Sequence, residues 1–268
     1  MAGSNITSKA FQKLGIAITR PVAQATKMTS LIQEHGGHAI AFPLIDIVPL
    51  EDYSQFNDAI KSLVDYDWAI FISSNAVQNG MPRIKNQFNP LPPNLRFAAI
   101  GPVTAAKLIE QGAENVLIPE NRFDSESLLN LPEMQHVQGK KVMIVRGLGG
   151  REVLADTLKS RGATVRFAEC YRRINPQRDC LYLEQLWQNN QCHAIVITSS
   201  EAMRHLLEMT HNGNDKWLRQ MQICVNHARI AEEAKSSGLD VHIADAPGEG
   251  AMLACLQKAF QDHGSNDD

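Results

Sequence analysis

The residues best suited to chemistry in this chain fall in five short loops. These are Thr19-Arg20-Pro21, Ser73-Ser74-Asn75-Ala76, Gly101-Pro102-Val103-Thr104-Ala105, Arg146-Gly147-Leu148-Gly149-Gly150-Arg151-Glu152 and Thr198-Ser199-Ser200-Glu201. Small side chains, hydroxyls and free backbone N–H groups at the positive end of a helix make a cradle for phosphate or carboxylate. On that chemistry Ser74, Asn75, Gly101, Thr104, Ala105, Gly147, Gly149, Ser199, Ser200 and Glu201 are candidate binding residues. Arg20, Arg146 and Arg151 stand at strand ends, where a guanidinium can grip a carboxylate with two parallel bonds. The plainer reading makes the hydroxyl and amide residues N-caps, each worth about 1 kcal/mol, and the arginines surface charges. Tyr171 follows the strand-like stretch Val165–Cys170 and opens a segment that reads as an exposed linker. A phenol placed there can act as a general acid, or pack as an amphipathic aromatic at a domain boundary.

Other chemistries find little support. A Gly-x-Gly after Val142–Arg146, with Glu169 further on, invites comparison with a dinucleotide fingerprint, but Glu152 stands where close helix packing wants a third glycine. No Walker-type Gly-Lys-Ser/Thr and no Gly-x-Ser-x-Gly elbow occurs. The nine histidines form no His-Glu-x-x-His and no cluster with cysteine, so no metal is expected. Cys170, Cys180, Cys192, Cys224 and Cys255 are odd in number and scattered, and read as reduced cytosolic thiols packed as small hydrophobes.

Those loops need a scaffold. A chain of 268 residues, 44% hydrophobic and 21% charged, is long enough for two ordinary globular domains. A net charge of −3 supplies no basic field for nucleic acid or an anionic membrane, so a bound anion must be held by local geometry. No segment approaches the roughly 20 apolar residues of a membrane-spanning helix. Met1–Lys13 and His263–Asp268 are polar and read as disordered extensions, the first without the apolar core of a signal peptide.

The chain repeats itself. Ile16-Ala-Ile-Thr-Arg20 has a partner in Val142-Met-Ile-Val-Arg146, and the passage around Gly36-Gly37 one around Gly162-Ala163, both at an offset of 126. Trp68–Ala76 pairs with His193–Ala202 allowing one insertion, Phe97–Gly101 with Gln222–Asn226, and Gly112 with Gly238. Five matches in the same order exceed chance. Within each copy, strand-length apolar runs (Ile16–Thr19, Ile40–Leu44, Ala69–Ile72, Phe97–Ile100, Val116–Ile118) alternate with amphipathic stretches such as Ala105–Gly112. That alternation implies parallel sheets with helices on both faces and ligands at the carboxyl ends of the strands. Asp46–Leu50 and Tyr171–Pro176 occupy equivalent places and read as extended linkers running into proline. They suggest that the chain crosses twice between two domains; a single division near residue 135 is the alternative.

Taken in order, several of these motifs resemble the uroporphyrinogen-III synthase family. They are Thr19-Arg-Pro, Phe42-Pro-Leu-Ile45, Ile72-Ser-Ser-Asn-Ala-Val77, Ile100-Gly-Pro-x-Thr-Ala105, Ser125-Glu-Ser-Leu-Leu129, Val145-Arg-Gly-x-Gly-Gly-Arg-Glu152 and Glu169-Cys-Tyr-Arg-Arg173. The resemblance spans about residues 14 to 260. It implies an α/β fold of two flavodoxin-like parallel-sheet domains joined by a two-stranded linker, the first discontinuous (14–48 plus 177–262) and the second at 50–174. It further implies a lyase that cyclises linear hydroxymethylbilane with inversion of ring D and loss of water, without metal or organic cofactor. Tyr171 matches the family's tyrosine thought to help the hydroxyl leave, and the cleft between the domains would hold the eight carboxylates of the substrate. A monomer in the cytoplasm, in passing contact with the preceding enzyme of tetrapyrrole synthesis, is the expected setting. One departure stands out: Asn226-His-Ala-Arg229 replaces the Gly-Pro-x-Thr of the first copy, so no contact is carried over there. Two other classes compete, a two-lobed binding protein for a polyanion and a nucleotide-dependent oxidoreductase. Retained flavin or nicotinamide absorbance would mark the latter.

Overall fold

The computed structural model describes residues 10–210, 216–246 and 248–264. Among them ten strands form two sheets of five. The strands are β1 (Gly15–Ile18), β2 (His38–Ala41), β3 (Asp46–Val48), β4 (Trp68–Phe71) and β5 (Arg96–Ala99), then β6 (Lys141–Gly147), β7 (Thr164–Ile174), β8 (Ala194–Ile197), β9 (Gln222–Val225) and β10 (His242–Ile243). Described residues up to Asp46 and from Ile174 onward make one compact unit, and Ile47–Arg173 the other.

The first unit's sheet runs β2-β1-β8-β9-β10, which in chain order within that unit is the flavodoxin-like sequence 2-1-3-4-5. The second runs β3-β7-β6-β4-β5, and Leu117 adds a parallel bridge beside β5 at Ala98. Setting β3 aside and starting at β6, that is again 2-1-3-4-5, entered at its third strand. Each sheet therefore takes its first two strands from one copy of the repeat and its last three from the other. The central pairings are parallel, with Ile16 opposite Ala39 and Ala194, and Ala69 opposite Phe97 and Met143.

The apolar runs become strands because both their faces are covered. In β4, Trp68 and Ile70 enter one core with Val142, Ile144, Leu154 and Leu158. Ala69 and Phe71 enter the opposite one with Phe56, Met81, Met143 and Val145. In the first unit, Ile16, Ile18, Val196 and Cys224 pack against Met28, Ile32, Met252 and Leu256 from the helices Val22–Glu34 and Glu249–Gly264. Each such aliphatic side chain gains roughly 1.5–3 kcal/mol from burial.

Three sequence expectations are corrected. Residues 10–13 do not belong to a frayed extension: Phe11 is wholly buried, its ring 6.0 Å from that of Phe260, and its N–H bonds the His35 carbonyl. Residues 1–9 lie outside the described residues, as do 265–268, while 263 and 264 complete the last helix. The segments read as exposed linkers are extended and lie side by side, as a two-stranded linker requires, but their strand residues are buried or half-buried: Asp46–Val48 is β3, beside β7, which continues through Tyr171 to Ile174. The run Ile40–Leu44 is a regular strand only to Ala41, though Phe42 and Leu44 still donate to the carbonyls of Ile18 and Thr19.

The start of β1 is clasped by His193: Gly15 N–H donates to His193 Nδ1 at 3.0 Å, and the Gly15 carbonyl accepts His193 N–H at 2.8 Å. Burial holds this imidazole below the ordinary histidine value of 6.5. The N–H aimed at Nδ1 also opposes a proton there. A base with a depressed native value binds fewer protons than the unfolded chain, so stability falls as pH drops through 6.5 toward the native value. Urea midpoints measured from pH 7.5 to 5 are expected to decline more steeply for the wild type than for His193→Gln; parallel curves would remove His193 from the acid response.

Candidate active site

The second unit gathers most of the candidates at the carboxyl ends of β4, β5 and β6. Here β6 slips register between Arg146 and Gly147, which places Gly147 opposite Tyr171 of β7. A Cβ on Gly147 would lie 2.5 Å from Tyr171 Cε2 and 2.6 Å from Cζ, so the absent side chain is what lets the phenol ring rest on the strand. Leu148 N–H donates to the Tyr171 carbonyl at 2.7 Å. The ring is 3% exposed, and its hydroxyl lies 3.2 Å from Ser73 Oγ. Ser73 caps the helix Ser74–Gln87 by accepting the Ala76 N–H at 3.1 Å, so the phenol oxygen sits near a helix's positive end.

Tyr171 is thus inside the sheet and not on an open linker. Sequence reasoning ended the strand at Cys170 because Tyr171–Pro176 reads as a linker running into proline; pairing with β6 and then β3 carries the strand on. Arg146 is largely buried and tied into its own loop. It is 4% exposed, with Nε 3.2 Å from Glu169 Oε1, Nη1 3.4 Å from the Arg151 carbonyl and its guanidinium 3.9 Å over the Phe167 ring. A cation so engaged orders its own loop, and it also lines the cavity of about 260 Å³ that Arg151 borders. Glu169 Oε1 also accepts the Gly149 N–H at 3.0 Å.

Arg151 remains outward, 4.0 Å from Glu126, and helps line that cavity with Ile72, Ile100, Ser125, Phe167 and Arg173. Asp124, also on its wall, caps the turn Ser125–Leu129; hydrogen bonds from Ser127 hold its carboxyl below the ordinary range. Ser74 and Asn75 are half-buried in the first turn of their helix. Thr104 and Ala105 turn inward to the core, so that loop presents backbone from Gly101 to Val103 and not the threonine hydroxyl. Exposed Val103, Phe123, Leu148 and Val153 add apolar surface at this same end of the sheet.

In the first unit the loops after β1 and β8 meet. Arg20 Nε donates to Thr198 Oγ1 at 2.9 Å, and Nη1 pairs with Glu249 at the start of the last helix. Ser199 Oγ accepts the Ala202 N–H at 3.1 Å, while Ser200 is 8% exposed with no hydrogen-bond partner for its Oγ among the described residues. Glu201 is half-buried in that helix's first turn. Ser73, Glu169, Thr198 and Glu249 were missed as site residues. Ser73 and Thr198 stood in flagged loops and Glu169 in a quoted motif, but which of them meets Arg20 or Arg146 is set by tertiary pairing and leaves no local signal.

Doubly wound parallel sheets with hydroxyls, arginines and a phenol at their strand ends define an α/β enzyme of flavodoxin-like architecture. The fold matches a mutant uroporphyrinogen III synthase of the extremely thermophilic bacterium Thermus thermophilus with a TM-score of 0.63 at 16% identity, over 93% of this chain and 99% of that one. The Helicobacter pylori 26695 uroporphyrinogen-III synthetase matches with a TM-score of 0.55 at 15% identity, over 92% and 99%. Residues 26–254 fit the family described as uroporphyrinogen-III synthase HemD. The chain is 33% identical over 246 residues to uroporphyrinogen-III synthase of Escherichia coli K12, covering 91% of this chain and 100% of that protein. Identity to the Salmonella typhimurium LT2 enzyme is 32% at the same coverage. The chain belongs to the uroporphyrinogen-III synthase family and is a lyase of tetrapyrrole biosynthesis. Among the described residues no helix is long and apolar enough to cross a membrane.

Proposed function

We propose that this lyase cyclises hydroxymethylbilane with inversion of ring D to uroporphyrinogen III, and that Tyr171 and Ser73 deliver the proton that takes the hydroxyl away as water. The observation that carries the reading is the Tyr171 hydroxyl at 3.2 Å from a helix-capping serine, on a phenol whose ring is seated by a glycine. As the proton leaves, the phenol oxygen can accept from Ser73 and rests near the positive end of a 14-residue helix. Loss of water leaves an azafulvene reactive enough to need no metal or organic cofactor. Ring D then attacks through its substituted carbon by way of a spiro intermediate, so the protein's main work is to hold that geometry.

The binding groups in this reading are the strand-end loops. Arg20 with Ser199, Ser200 and Glu201 serves in one unit. Ser74, Asn75, the Gly101–Ala105 turn, Gly147, Gly149 and Arg151 serve in the other, with backbone N–H groups supplying most contacts to carboxylates. Arg146, which lines the same cavity as Arg151, serves beside them and also holds its loop. Domains are drawn at 14–48 plus 177–262 and at 50–174, supported by the two compact units. A monomer handing over transiently from the enzyme that makes hydroxymethylbilane belongs to the same proposal, and its cytoplasmic setting is supported by the five buried free thiols. The test is a coupled assay with a hydroxymethylbilane-generating enzyme and chromatographic separation of isomers. Isomer III is expected to dominate; isomer I alone would refute the assignment.

A further inference from the structure

We propose that Glu169 is a positioning residue for this reaction: its carboxylate fixes the turn Gly147–Gly150 and, through it, the floor on which Tyr171 lies. The proposal rests on the reading above that this turn holds substrate.

The turn is intrinsically loose. Gly149 and Gly150 adopt φ of +68° and +113°, which glycine alone takes up readily, and glycine-rich backbone has the most freedom to lose on ordering. Something must select one conformation, and the ties all run to neighbouring strand residues. Leu148 N–H goes to the Tyr171 carbonyl at 2.7 Å. Gly149 N–H donates to Glu169 Oε1 at 3.0 Å, and Arg146 donates from Nη1 to the Arg151 carbonyl and from Nε to the same Glu169 oxygen at 3.2 Å. One carboxylate therefore bridges the middle of the turn to the arginine that closes its end. Glu169 and Tyr171 stand on either side of the register slip, Glu169 opposite Arg146 and Tyr171 opposite Gly147, so strand alternation does not put them on one face. What fixes the turn at 149 reaches Tyr171 through the turn itself, by way of the Leu148 bond to the Tyr171 carbonyl. The carboxylate lies behind the turn, where with Leu148, Phe167 and Arg172 it borders a second hollow of about 320 Å³.

The alternative is that Glu169 only neutralises buried Arg146. Replacing Glu169 alone would confuse the two, because the unpaired buried cation destabilises the fold. The pair is therefore replaced together. In R146M/E169Q the amide oxygen can still accept the Gly149 N–H, whereas R146M/E169L offers no acceptor. Methionine keeps an apolar stem over Phe167 in both. The leucine variant is expected to raise KM about tenfold, the equivalent of one hydrogen bond's worth of ordering, and to increase the share of isomer I. The glutamine variant is expected to recover most of both at a similar melting temperature. Equal KM and equal isomer ratio in the two variants would overturn the proposal, whatever their melting temperatures. Gly149→Ala, whose Cβ meets nothing within 4 Å but whose φ strains the turn, separates the premises. Impaired binding in Gly149→Ala with indistinguishable double variants removes Glu169 only, and an unaffected Gly149→Ala removes both the turn's role and Glu169.

Discussion

Gly147→Ala is expected to lower turnover by about two orders of magnitude, the cost of moving a reacting group by roughly an ångström. The added Cβ would stand 2.5 Å from Tyr171 Cε2, and the ring has little room to retreat because it is 3% exposed and packed among Phe71, Val145 and Cys170. Swinging the ring aside breaks the 3.2 Å contact with Ser73 and overpacks the core by about 1–3 kcal/mol. Two measurements check this: single-turnover rates with freshly generated hydroxymethylbilane, and urea unfolding. Since the variant acts through Tyr171, it is expected to add little to the rate loss of Tyr171→Phe, a strongly non-additive pair. Wild-type turnover in Gly147→Ala would show that the ring's seat does not matter.

Tyr171→Phe carries the second large effect. It removes the proton donor while leaving the ring on Gly147, and turnover is expected to fall by about 10²-fold or more, the usual range for a lost general acid. Stability is expected to change by less than about 1 kcal/mol, because Ser73 Oγ keeps the Ala76 N–H and is only half-buried. The isomer ratio separates acid from mould. A missing acid slows water loss and leaves the enzyme-formed product as isomer III, whereas a missing positioning contact lets isomer I rise. Unchanged turnover would take Tyr171 out of the acid role.

The fold was legible where both faces of a strand are buried. Runs such as Ala69–Ile72 and Phe97–Ile100 are apolar throughout and bounded by polar or turn residues, and β4 and β5 fall on them within a residue. Legibility ended where a strand has polar residues on it. Thr164–Ile174 extends four residues past Cys170 because β6 and β3 flank it, and no local pattern announces those neighbours. The site divides the same way. Loops at strand ends could be read from glycines and hydroxyls beside apolar runs. What each arginine does could not, since the Glu169 that engages Arg146 is 23 positions away and the Glu249 that engages Arg20 is 229. Phe11 was misread for a related reason: one aromatic in a polar stretch is weak evidence alone, and its burial depends on the last helix, at the other end of the chain.

The exchange of front strands between the two copies also sets a timetable for synthesis. β1 lies between β2 and β8, and its partner across Ile16 is Ala194. At ribosomal speeds of about 5–20 residues per second, roughly ten to forty seconds separate the emergence of those two strands. Throughout that interval β1 keeps an open hydrogen-bonding edge, the kind that recruits other chains. The contiguous unit Ile47–Arg173 is complete shortly before β8 emerges and can fold on the nascent chain, leaving the older amino-terminal strands waiting for the newest ones. The last step of maturation is therefore a long-range pairing of the slow class, and it falls to the unit that carries Arg20.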